Sequence, residues 1–225
     1  MSLAAISQPL YLFKGNYMRI LILGATGPTG QELVRQALEK SYQVTALVRN
    51  PEKLGITHEN LIVTTGDLLD ETTLTNALRG KEAVLSALGA GKSLKSSNIM
   101  TNAVTNLITS LKTSNINRVV MLSAFGVGET FAKSNFIQKL IFRTFLKNIY
   151  NDKTKADSML RHSPFDWTLV YPVVLTNGPR TGNYKVGETL PMKGMPKISR
   201  ADVADFMLQQ LTDATYLKKI AVLMS

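Results

Sequence analysis

The feature that most constrains this chain is the run Gly24-Ala25-Thr26-Gly27-Pro28-Thr29-Gly30, set between a short apolar stretch, Arg19–Leu23, and an amphipathic one, Thr29–Lys40. A strand that passes into a helix through three glycines turns tightly and brings backbone N–H groups close to whatever sits at the helix start. That end of a helix carries the positive pole of its dipole, so the natural occupant is a phosphate. A side chain at Gly24, Gly27 or Gly30 would obstruct the approach.

Downstream the chain alternates between two periodicities. Strands are read at Arg19–Leu23, Gln43–Val48, Leu61–Thr65, Ala83–Ala87, Arg118–Ser123 and Trp167–Tyr171, each short and apolar, as strands buried on both faces should be. Helical spacing is read at Thr29–Lys40, Glu71–Leu78 and Asn98–Thr113. These are βαβ units, and they predict an α/β fold: a Rossmann-like doubly wound parallel sheet. After Tyr171 the chain loosens into loop containing Pro172, Gly178, Pro179, Gly182, Gly187, Pro191, Gly194 and Pro196, followed by a helix at Ser199–Leu211 and a strand near Ile220–Leu223. This tail reads as a small C-terminal elaboration covering the substrate side. Residues 1–17 read as an N-terminal extension without an assigned role, and 18–225 as one domain.

Composition narrows the chemistry. There is no cysteine, which excludes disulfides, thiolate zinc sites and a cysteine nucleophile. The two histidines, His58 and His162, have no ligand-like spacing around them, so no metal is expected. His162 reads as a residue at the C-terminal end of a helix, interacting with its dipole. No apolar run reaches the ~18–20 residues of a membrane span, and the N-terminus has no signal-peptide pattern, so a cytoplasmic location is expected. Lys and Arg outnumber Asp and Glu by 26 to 16, which gives a net charge of +10 and favours anionic ligands of any kind.

Several residues at the carboxyl ends of the predicted strands carry the chemistry. The spacing GxxGxxG points to the short-chain dehydrogenase branch of dinucleotide-binding proteins. Val48 is followed by Arg49, with Lys53 just beyond; a cation at the end of the second strand accommodates the 2′-phosphate of NADP, where an acid would hold the ribose of NAD. Asp67 and Leu68 are expected at the adenine and Leu88, Gly89 and Ala90 near the ribose and pyrophosphate, although Asp67 suits a turn equally well. Ser123, with Ala124 and Phe125, ends the fifth strand and places a hydroxyl where the nicotinamide should lie; a turn serine is the other reading. Trp167 and Tyr171 face either the pocket or the core. Short-chain enzymes usually pair such a serine with Tyr-x-x-x-Lys, the lysine tuning the tyrosine as a general acid. If Lys153 takes the lysine position, as the following Ala156 and Asp157 indicate, the tyrosine should be residue 149; that residue is Ile149, and Tyr150 is one out of register.

From residue 18 to about 215 the chain resembles the atypical short-chain dehydrogenase/reductase family of NAD(P)H-binding, NmrA-like proteins, in particular the flavin reductase, or biliverdin-IXβ reductase, branch. The resemblance is carried by the glycine loop, Leu47-Val48-Arg49, Gly66-Asp67, Ser123-Ala124-Phe125, Trp167-Thr168-Leu169-Val170-Tyr171-Pro172, Thr181-Gly182-Asn183-Tyr184 and Ile198-Ser199-Arg200-Ala201-Asp202-Val203. It implies NADP(H) as cofactor, Thr26 to Thr29 at the phosphates, Arg49 at the 2′-phosphate, and Ser123 with Pro172, Val173, Val174 and Leu175 lining the nicotinamide site. Lys153 is assigned to the cofactor on the same ground. It also implies a flavin or linear tetrapyrrole as acceptor. The branch carries a histidine two residues after the matching proline; here that position is Val174.

A flavin needs an acid less than a ketone does, because charge from the arriving hydride spreads over the ring and the proton can follow from water. Three readings therefore stand: an NADPH-dependent reductase of a planar acceptor, a non-catalytic NADP(H) sensor presenting its surface to a protein partner, and a module for anionic membrane or nucleic acid. The last rests on Lys139, Arg143 and Lys147, which share one face of a predicted helix opposite Phe136, Leu140, Ile141 and Phe145. A solvated basic face explains the same pattern. A monomer is expected.

Overall fold

The computed structural model describes residues 17–89, 98–134 and 146–225. Most of the expected extension, Ala90, and the basic segment's Phe136, Lys139, Leu140, Ile141, Arg143 and Phe145 lie outside the described residues.

Strands β1 (Arg19–Leu23), β2 (Gln43–Val48), β3 (Leu61–Thr65), β4 (Ala83–Ser86), β5 (Arg118–Leu122), β6 (Asp166–Pro172), β7 (Val174–Thr176), β8 (Lys185–Gly187), β9 (Lys197–Ser199) and β10 (Lys219–Met224) are joined by helices α1 (Pro28–Glu39), α2 (Glu71–Leu78), α3 (Ile99–Lys112), α4 (Lys147–Arg161) and α5 (Arg200–Gln209). The main sheet runs in the order β3-β2-β1-β4-β5-β6-β10-β8. Its pairings are parallel except for β8, which runs antiparallel to β10. The direction of strand progression reverses between β1 and β4. Because crossovers in such sheets are right-handed, this puts α1 and α5 on one face and α2, α3 and α4 on the other. The doubly wound parallel sheet expected from the sequence is thus present.

The central strands are apolar because both their faces are covered: β4 is buried throughout, and β1, β5 and β10 are exposed only at their first residue or partly so. Strand β3 departs from the expectation of burial on both faces. As the outermost strand it pairs with β2 alone, and Ile62 is 58% exposed. The C-terminal loop also contains more structure than its glycines and prolines indicated: β7 and β9 form a second, two-stranded parallel sheet.

Two polar devices, one buried and one half-buried, tie α5 and the loop before it to the rest of the fold. The Asp202 carboxylate in the first turn of α5 accepts from the backbone N–H groups of Thr181 (2.6 Å) and Gly182 (2.9 Å) and from the hydroxyls of Thr181 and Ser199. Ser199 caps α5 in return by accepting from the Asp202 N–H. At the other end of the strands the Arg118 guanidinium donates to the carbonyls of Gln210 and Asp166 and to the Thr168 hydroxyl, tying β5 to β6 and to the end of α5.

Candidate functional site

The glycine loop begins where β1 ends. Gly24 has φ +76°, and a Cβ there would stand 2.7 Å from the Ala87 carbonyl oxygen, so both conformation and space demand glycine. The Gly27 N–H donates to the Gly24 carbonyl (3.0 Å) and closes the turn. A Cβ on Gly30 would run into that same carbonyl, so α1 sits directly on the loop. Pro28 opens the helix, where its missing N–H costs nothing. Gly27 is the N-cap and offers no side chain to the first helical N–H groups, and no acid stands in the first turn. The helix start is thus chemically prepared for an anion.

This loop forms one wall of a cleft of about 270 Å³ at the carboxyl ends of β1, β2, β3 and β4. Of the residues read from the sequence, the cleft brings together Gly24, Thr26, Arg49, Asp67, Leu68, Leu88 and Gly89. Gly27, Pro28, Thr29 and Gly30 build the turn behind it; Pro28 also borders a separate hollow shared with Arg35 and Arg200. The sequence reading missed Ile99, Met100 and Ala103 of α3, which complete the apolar side. Their helical spacing was visible, but not their approach to the β4 end.

Arg49 is exposed at the end of β2, faces this cleft and has no hydrogen-bond or ion-pair partner among the described residues. One Asp67 carboxylate oxygen accepts from the Leu69 N–H (3.0 Å) in a local turn, and the residue lines the cleft. A glycine cradle too tight for a Cβ, an uncapped helix start and an unpartnered cation together fit a dinucleotide whose pyrophosphate lies on the loop.

Ser123, Ala124 and Phe125 follow β5 and sit beside the end of β6, with the Ser123 N–H donating to the Val170 carbonyl and the Phe125 N–H to that of Pro172. Pro172 and Val173 are buried, Leu175 is half-buried and Val174 is exposed. Tyr150 is placed by α4 against this turn, and its hydroxyl donates to the Phe125 carbonyl (3.2 Å). Burial pushes the Tyr150 phenol up to about 12.

Behind Ser123 lies a buried cluster that the sequence reading did not assemble. The Ser123 hydroxyl donates to Asp157 Oδ2 at 2.6 Å, and the Tyr171 hydroxyl donates to the same oxygen at 2.7 Å. Lys153, buried one helical turn before Asp157, supplies a nearby positive charge. Burial pushes the Asp157 carboxyl up, opposed by Lys153 and by the two hydroxyls, and burial lowers the Lys153 ammonium, opposed by Asp157 and Asp152. Asp152 itself accepts from the backbone N–H groups of Met100 and Thr101 and so anchors the start of α3, part of the cleft wall. Tyr171 is therefore a core residue with a satisfied hydroxyl, and its phenol is raised by burial and by the adjoining carboxylate. The signal for this cluster was Lys153 and Asp157 four apart on the face that also carries Ala156 and Leu160, an inward position where two charges require partners.

His162 is the C-cap of α4, and its ring Nδ1 lies 2.7 Å from the Ser158 carbonyl oxygen. No group of three or more His, Cys, Asp or Glu side chains suited to a metal is present among the described residues. No described helix is long and apolar enough to cross a membrane.

The sequence profile of a family described as NAD(P)H-binding matches residues 24–214. Among curated relatives, the oxidoreductase aflX of Aspergillus parasiticus is 28% identical over 217 residues, covering 88% of this chain and 80% of its own. Among solved structures, ChuY, an anaerobillin reductase from Escherichia coli O157:H7, superposes with a TM-score of 0.77 at 21% identity, covering 92% of this chain and 97% of its own. A short-chain dehydrogenase/reductase from Veillonella parvula, solved in complex with NADP, superposes with a TM-score of 0.76 at 23% identity, covering 93% and 95%.

Proposed function

Because the chain belongs to the NAD(P)H-binding family of NmrA-like, atypical short-chain dehydrogenase/reductases, we propose that it is an NADPH-dependent reductase of a planar conjugated acceptor, a flavin or a linear tetrapyrrole. The observation that carries this reading is the cleft itself: a glycine cradle, an uncapped helix start and a solvent-facing, unpartnered Arg49 on one wall. Bound NADPH supplies a hydride. The protein's part is placement. Gly24, Thr26 and the start of α1 take the pyrophosphate, Arg49 takes the 2′-phosphate, and Asp67 and Leu68 border the adenine. The turn from Ser123 to Phe125 and the strand end from Pro172 to Leu175 receive the nicotinamide, with Lys153 supporting this region from behind. The anaerobillin reductase activity in the name of ChuY supports the tetrapyrrole as acceptor class.

With donor and acceptor rings held in contact, alignment supplies most of the rate, and the balancing proton comes from water. A sensing role without turnover is favoured by a different observation: no tyrosine stands in register with Lys153, and Tyr150 and Tyr171 both have their hydroxyls committed. Mixing the purified chain with NADPH and either FMN or biliverdin, and following NADPH absorbance, decides between them. The proposal expects multiple turnovers; tight NADPH binding with no turnover of either acceptor would establish the sensor.

A further inference from the structure

What Ser123 can offer a bound molecule is set by the hydrogen bond it already makes. Asp157 Oδ2 accepts the hydroxyl protons of Ser123 and Tyr171 at 2.6 and 2.7 Å in a pocket that also holds the Lys153 side chain. Ser123 has one hydroxyl hydrogen, and it points inward to Asp157. Its remaining capacity is its lone pairs. β4 and β5 pair side by side and end at the same edge of the sheet, where Ser123 follows β5 and Leu88, which lines the cleft, follows shortly after β4. Ser123, buried at that edge, thus has acceptor character only left to offer.

We infer that Asp157 is a positioning residue which turns Ser123 into a hydrogen-bond acceptor, so that the site selects planar acceptors bearing an N–H on the docked ring edge over carbonyl compounds. The inference rests on the reductase reading above. Carbonyl reduction builds negative charge on an oxygen and needs a donor aimed at that atom, which an inward-turned serine does not supply. Oxidised flavins and linear tetrapyrroles carry ring N–H groups that a serine lone pair can receive, fixing the ring in the plane needed for transfer. The electron balance is simple: hydride leaves the dihydronicotinamide with both electrons, NADPH becomes NADP⁺, the ring system is reduced, and water supplies the proton. Ser123 neither gains nor loses one.

The test compares FMN, biliverdin and phenanthrenequinone as acceptors for the full chain with NADPH, in the wild type, Ser123→Ala, Asp157→Asn, the double variant and Ser123→Thr. The expected result is turnover of an N–H acceptor with the quinone at least about tenfold slower, the worth of one well-placed hydrogen bond. Ser123→Ala and Asp157→Asn should each lower kcat/KM for the N–H acceptor by about tenfold, with no further loss in the double variant, because Asp157 acts through Ser123. Ser123→Thr, which keeps the hydroxyl, should retain the rate. Losses that multiply, a preference for the quinone, or an unaffected Ser123→Ala would overturn the inference. Should Asp157→Asn fail to fold, the contrast between Ser123→Ala and Ser123→Thr decides alone. A wild type that binds NADPH but reduces nothing refutes the reductase reading instead. The same variants are then compared by FMN and biliverdin binding to the NADP⁺-loaded protein, where equal, non-multiplying losses sustain the inference and unchanged or absent binding overturns it.

Discussion

Replacing Asp202 with alanine removes one carboxylate and releases four donors at once. Asp202 is 1% exposed, and its two oxygens hold the Thr181 and Gly182 N–H groups and the Thr181 and Ser199 hydroxyls. The hydroxyls can rotate to other partners, and Thr181 and Gly182 are exposed, so the loss is the net worth of two charge-assisted hydrogen bonds, about 1.5–3 kcal/mol each. Allowing for partial entry of water, the Asp202→Ala loss should be about 3–5 kcal/mol, a large share of the ~5–15 kcal/mol that holds a typical domain. In urea that corresponds to a midpoint lowered by roughly 1–1.7 M at a slope of about 3 kcal/mol/M. Asp202→Asn keeps one accepting oxygen and should lose about half as much.

The pH dependence carries a sign. Burial alone would raise the Asp202 carboxyl, but hydrogen bonds from Gly182, Thr181 and Ser199 outweigh it, and the group titrates below the ordinary aspartate value. A depressed folded value means that the unfolded chain takes up the proton first. The stabilisation is therefore complete above the unfolded value of about 3.9 and is lost as pH falls through the folded one. The gap between wild type and Asp202→Asn should be constant near neutrality and close in strong acid. An Asp202→Ala midpoint within about 0.3 M of wild type, or a gap to Asp202→Asn that persists unchanged in acid, would refute the reasoning.

Two further outcomes follow from the same geometry. Gly30→Ala places a Cβ against the Gly24 carbonyl and must open the turn, so NADPH affinity measured by cofactor fluorescence should fall at least about tenfold while far-UV circular dichroism keeps its helical signal. Arg118→Met frees the carbonyls of Gln210 and Asp166 at the end of the sheet opposite the cleft; the urea midpoint should correspond to a loss of about 2–4 kcal/mol, with NADPH affinity unchanged.

Local and long-range signals were unequally legible in the sequence. The glycine loop was readable because turn, close approach and helix start involve neighbouring residues, and Arg49 because its place is fixed by counting from a strand end. Strands β1, β2 and β3 were located to the residue, since an apolar run bounded by turn residues is a local pattern. The exposed edge of β3 was not, because Leu61–Thr65 is as apolar as its buried neighbours and only sheet order separates them. The Ser123–Asp157–Tyr171 cluster escaped for the same kind of reason. Ser123 and Asp157 are 34 residues apart and meet through the packing of α4 on the sheet, which no local periodicity encodes. The second sheet, β7 with β9, joins segments of a loop whose glycines and prolines signalled only irregular chain.

The measurement that tests the central claim most directly is the affinity of the wild type and Arg49→Ala for NADPH and NADH, side by side at low salt. A unit charge about 4 Å from a phosphate is worth roughly 1–4 kcal/mol between fully and partly solvated limits. The wild type should bind NADPH at least about tenfold more tightly than NADH, and Arg49→Ala should erase that preference by weakening NADPH while leaving NADH within about twofold. Equal binding of the two cofactors by the wild type, or a variant that weakens both alike, would contradict the placement of the 2′-phosphate at Arg49 and with it the account of the cleft.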